Sequence, residues 1–118
     1  MTGNPAKPEK LFVMWSSGDR EVATKMVFMY TLNAKRRGWW NDISLIVWGP
    51  SAKLVSEDKE LQAKIKEIKD AGVELMACKA CSDSYGVSDT LEQLGIDVKY
   101  MGEPLTQLLK EDQKIITF

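Results

Sequence analysis

The chain has 118 residues, 44% of them hydrophobic and 28% charged, and sixteen basic against seventeen acidic side chains leave a net charge of −1. That length suits one soluble domain, and the charge balance gives no basic stripe for nucleic acid. Histidine, the commonest metal ligand and acid–base catalyst, is missing, and no run approaches the roughly 18 apolar residues of a membrane span.

Residues 1–9 are polar, carry Pro5 and Pro8, and lack the apolar core of a signal peptide. They read as a flexible arm before a single domain over 10–118, and the protein is expected in the cytoplasm, with no membrane or nucleic-acid partner. Leu11 to Trp15 is a continuous apolar run, the pattern of a strand covered on both faces. After Ser16-Ser17-Gly18, Asp19 suits an N-cap, and a helix is expected from about Arg20 to Arg37, stopped by Gly38. Its apolar residues (Val22, Ala23, Met26, Val27, Phe28, Met29, Tyr30, Leu32) spread around most of its circumference. One sheet-facing stripe does not need so many, so another subunit is expected to cover the surplus face. Lys35-Arg36-Arg37 reads as the solvated basic end of this helix.

Ile43 to Trp48 is a second buried strand, broken by Gly49-Pro50-Ser51, with a single helical turn at Ala52 to Val55. The clearest helix spans about Asp58 to Ala71. Leu61, Ile65 and Ile68 mark its buried stripe, and Glu60 and Lys64 stand at i,i+4 spacing. Gly72 ends it. Val73 to Ala77 is the third strand, followed by the cysteine turn, where Ser82 to Tyr85 reads as a short helical turn closed by a left-handed Gly86. Asp89 with Glu92 resembles a capping box for a short helix to Gly95. Asp97 to Tyr100 is a fourth strand, Pro104 suits the first position of a helix carrying Leu105, Leu108 and Leu109, and Lys114 to Phe118 is a fifth strand.

Strands alternating with helices predict an α/β fold, a three-layer α/β/α sandwich on a five-stranded, mostly parallel sheet. Ligands of such sheets sit beyond the carboxyl ends of the strands. Ser16, Ser17, Gly18, Gly49, Pro50 and the cysteine turn would gather there, with Trp15 and Trp48 as walls.

Cys78 and Cys81 are the only cysteines. A zinc site wants four ligands, and one such pair without histidine supplies two, so no metal is expected. Two small buried side chains are one reading of the pair; thiol chemistry is the other. A thiol at a strand end where a helix begins meets unpaired N–H groups, and Lys79 adds a positive charge; both favour thiolate. Cys78 is expected to be the exposed, reactive thiol and Cys81 to be buried. Ser16-Ser17-Gly18 offers N–H groups to an anion but lacks the glycine spacing of a dinucleotide fingerprint or P-loop, so no cofactor is implied. Tyr85 and Asp83 are candidates to assist proton transfer.

The run Cys78-Lys79-Ala80-Cys81-Ser82-Asp83-Ser84-Tyr85-Gly86-Val87 resembles the DsrE/DsrF-like family, with sulfur-relay subunits and smaller YchN-type proteins among its members, and the resemblance extends from about Lys10 to Phe118. YchN-like members carry a similar Cys-x-x-Cys after the third strand, with a glycine five residues beyond its second cysteine, as Gly86 stands to Cys81. Relay subunits have a single reactive cysteine eight residues before the equivalent glycine, the spacing of Cys78 to Gly86. The resemblance implies a five-stranded parallel sheet, assembly into trimers or hexamers, Cys78 as persulfide carrier, and sulfur donor and acceptor proteins as partners. Cys81 departs from the single-cysteine pattern. It leaves open a thiol–disulfide redox or sensing module using both cysteines, and a non-catalytic oligomeric binding subunit.

Overall fold

The structure is a computed structural model in which residues 9–118 are described; the predicted arm over 1–8 lies outside the described residues. Five strands form one sheet: β1 (Lys10–Trp15), β2 (Asp42–Val47), β3 (Glu74–Cys78), β4 (Asp97–Lys99) and β5 (Lys114–Thr117). Their order is β4-β3-β2-β1-β5 and every pairing is parallel, so the sheet is wholly rather than mostly parallel. The chain steps outward from β1 to β4 and then returns to place β5 on the other side of β1.

Between strands run α1 (Arg20–Val22), a π turn (Ala23–Val27), α2 (Phe28–Arg36), α3 (Pro50–Glu57), α4 (Lys59–Asp70), α5 (Lys79–Tyr85), α6 (Ser88–Gln93) and α7 (Gly102–Lys110). Asp19 caps α1 by accepting the N–H groups of Glu21 and Val22. The following segment stays helical through the π turn, whose wider winding lets the Phe28 N–H reach Ala23 O. Val27 and Phe28 are both buried there, whereas Met26 and Met29 stay exposed.

Because successive side chains alternate across a strand, the sheet has two apolar faces. Leu11, Val13, Trp15, Ile43, Leu45, Val47, Leu75 and Ala77 form the larger core with α2, α3, α4 and α6. Phe12, Met14, Ile46, Met76 and Cys78 face the other way, under Met101, Leu105 and Leu108 around α7.

Several local expectations change. The turn after Pro50 is a helix of eight residues, because Pro50 starts it and Ser51, Ala52 and Val55 all bury one side. Lys64 pairs with Glu67 at 3.1 Å, and Glu60 turns to Arg20 at 3.2 Å. Arg20 also donates to Asp58 at 2.7 Å while Asp58 caps α4, so one carboxylate ties two helices together. Arg36, expected to be merely solvated, bridges to Glu67 at 3.0 Å. The expected capping box is absent: α6 starts at Ser88 with no side-chain cap. Pro104 is the third residue of α7, which starts at Gly102. No helix among the described residues is long and apolar enough to cross a membrane.

Candidate functional site

The carboxyl ends of β1, β2 and β5 are laced together by main-chain hydrogen bonds. Trp48 N–H donates to Trp15 O at 3.0 Å, and Ser51 N–H to Ser16 O at 3.1 Å. The buried Ser51 hydroxyl adds bonds to Trp15 O (2.5 Å) and Trp48 O (3.2 Å). Gly18 packs on Pro50; a Cβ there would stand 3.2 Å from the proline Cβ. The Ser16 and Ser17 N–H groups, offered by the sequence as an anion cradle, both donate to the backbone oxygen of Phe118 beyond β5. The Ser16 hydroxyl joins them at 3.0 Å. This loop ties the end of the edge strand β5 to the end of β1.

Trp15 does not line the crevice. It shares a face with Val13, is wholly buried, and packs edge-on against Phe28 with ring centroids 4.9 Å apart. Trp48 lies one residue past the position opposite Trp15, so alternation sends it to the other face, where it is half-buried beside Cys81 and Leu105. There it also walls an apolar cavity of about 330 Å³ with Met14, Ser16, Leu105, Leu109, Ile115 and Thr117. The cavity opens where the chain reverses its direction of travel, between β1 and β5, the usual ligand position in open parallel sheets. Most of these residues were missed from sequence; the leucine spacing of α7 was their one signal.

Cys78 is the last residue of β3, opposite Lys99 of β4, and the cap residue of α5. Cys81 follows one turn later, and residues three apart on a helix are neighbours. Cys81 packs against the cluster that holds Cys78, with the Cys78 thiol and the Gly49 N–H as its polar neighbours. Gly49 holds φ 75°, a conformation that favours glycine, and so turns the chain from β2 into α3 beside α5. Burial pushes the Cys81 thiol up from its ordinary value, the bond to Cys78 adds to this, and the Gly49 N–H opposes it.

The expected ranking of exposure is reversed. Cys78 is 5% exposed and Cys81 is half-buried. The cause is the register of β3, which puts Cys78 in line with Met76 under Met101 and Trp48. Lys79 also departs from expectation. Its ammonium pairs with Asp83 at 3.1 Å and sits 5.9 Å from the Tyr100 ring, so its charge is compensated rather than directed at the thiols. Asp83 additionally accepts from Ser88, whose hydroxyl meets that of Ser82 at 2.6 Å. Both bonds hold the Asp83 carboxyl below the usual carboxylate range, Ser88 first and Lys79 second. Tyr85 is exposed in the last turn of α5, and Gly86 ends that helix at φ 71° as expected.

A model of the DsrE/DsrF-like family matches residues 9–118. Among solved structures, the chain is similar to a conserved protein of unknown function, BT1422, from Bacteroides thetaiotaomicron. The two are 41% identical with a TM-score of 0.91, over 93% of this chain and 95% of that one. It shares its fold with the protein of unknown function MTH1491 from Methanobacterium thermoautotrophicum (17% identity, TM-score 0.68) and with the YchN protein of E. coli (17% identity, TM-score 0.66). Each likeness covers 95% of this chain and 100% of the other. No curated protein matches the chain. With its wholly parallel five-stranded sheet and a family match over nearly its full length, the chain belongs to the DsrE/DsrF-like family.

Proposed function

We propose that this protein handles sulfane sulfur in the cytoplasm, held as a persulfide on Cys78 between a donor and an acceptor protein. The observation that carries the reading is the position of Cys78, the last residue of β3 and the cap residue of α5, with a second thiol one helical turn on. The thiolate is the form of a cysteine that attacks sulfur. In the step, Cys78 thiolate attacks the outer sulfur of a donor persulfide. A new S–S bond forms, the donor's S–S bond breaks, and the donor leaves as a thiolate. Covered by Met76, Met101 and Trp48, the resulting persulfide is shielded from stray thiols.

Assembly with further copies belongs to the same reading. Met26, Met29, Trp39 and Ile116 are exposed around one apolar concavity beside the edge strand β5, in the region where the sequence has surplus apolar residues.

Cyanolysis tests the carrier role. After exposure to a small-molecule persulfide and removal of the excess, Cys81→Ser should release one sulfane sulfur per chain as thiocyanate, and Cys78→Ser should release none. Equal release from both proteins contradicts the assignment.

A further inference from the structure

The two thiols provide more chemistry than storage requires. A sulfur bound on Cys78 leaves the Cys78 Sγ as the inner atom of a persulfide, one helical turn from the Cys81 thiol that packs against the same cluster. An inner persulfide sulfur is open to attack by a neighbouring thiol, as a disulfide sulfur is. We infer that Cys81 is a resolving thiol that discharges the Cys78 persulfide as hydrosulfide, which makes the pair a sulfane-sulfur reductase; this rests on the carrier reading above.

The step balances within the site. The Cys81 sulfur bonds to the Cys78 Sγ, the bond between that Sγ and the outer sulfur breaks, and the outer sulfur takes the electron pair. The Cys81 thiol proton moves to the outer sulfur, so Cys78–S–S⁻ and Cys81–SH become a Cys78–Cys81 disulfide and HS⁻. Two electrons pass from the thiol pair to the sulfane sulfur. The Gly49 N–H, already directed at the Cys81 sulfur, steadies the charge that builds there as the proton leaves. Turnover requires an external dithiol, small or protein-borne, which reduces the disulfide by exchange. Cys81, half-buried where Cys78 is buried, is the sulfur such a dithiol reaches, and attack there frees Cys78 as the thiolate for the next round.

Wild type and Cys81→Ser are loaded with inorganic polysulfide, desalted, and followed by trapping of hydrosulfide and by peptide mass mapping. In wild type, hydrosulfide and the Cys78–Cys81 disulfide should appear in equal amounts as the persulfide decays. In Cys81→Ser the persulfide should persist roughly tenfold longer or more, without hydrosulfide release. Equal lifetimes, or hydrosulfide without the disulfide in wild type, overturn the inference while leaving the carrier reading standing. No sulfur on Cys78 in either protein overturns both. The stoichiometry in wild type is decisive even if the variant folds poorly.

Discussion

Cys81 stands one helical turn after Cys78 and packs against the cluster that buries it, beside Trp48 and Leu105. Burial, and then the bond to Cys78, hold Cys81 protonated above the pH at which a free thiol ionises. Alkylation of Cys81 should therefore set in at higher pH than alkylation of a model thiol. Removing that partner with Cys78→Ala should shift the profile part of the way back, because burial remains. A Cys81 profile that matches a free thiol in both proteins contradicts the contact.

Asp58 gives the fold a dependence on acid. Its carboxyl is held below the usual carboxylate range by the hydrogen bond from Arg20 and then by the α4 N–H groups. Because the folded value is depressed, the stabilisation is present above the ordinary carboxylate range and is lost as pH falls through it toward the folded value. Urea midpoints measured down the acid side should fall less steeply in Asp58→Asn than in wild type. Parallel curves would show that the Arg20–Asp58 pair is not what protonation breaks.

Ser51 holds the ends of β1 and β2 together from a fully buried position, through its bonds to Trp15 O and Trp48 O. Ser51→Ala removes these bonds while Trp15 O keeps the Trp48 N–H, at a cost of about 0.5–1.5 kcal/mol for each bond lost. The loss should appear as a lower midpoint in urea with an unchanged slope.

The proposed assembly through Met26, Met29, Trp39 and Ile116 predicts a homo-oligomer, a trimer or hexamer, by light scattering at micromolar concentration. Met29→Glu places a charge on the exposed patch without touching the core and should shift the distribution toward smaller species. A wild-type monomer under these conditions contradicts the proposal.

The strands of this fold were legible because apolar runs such as Leu11 to Trp15 and Ile43 to Val47 leave few alternatives to a doubly covered sheet. That same property hid the parity of the strands. Where both faces are apolar, no polar alternation tells which side Trp15, Trp48 or Cys78 takes; the faces differ only in which helices cover them. The cysteine turn was legible from two thiols followed by a helix-closing glycine. The partnership of Cys81 with Gly49 was not, since it joins loops more than thirty residues apart in sequence. Lys79 shows the same limit. Its charge was visible, but its pairing with Asp83 depends on where the first turn of α5 points.

Where sulfur is found after the protein meets a persulfide donor tests the carrier role most directly. Peptide mass mapping of Cys81→Ser, incubated with the donor and then alkylated, should place one added sulfur on Cys78, and no added sulfur should be found in Cys78→Ser. Sulfur on Cys81 in the Cys78→Ser protein, or none on Cys78 when Cys81 is absent, contradicts it.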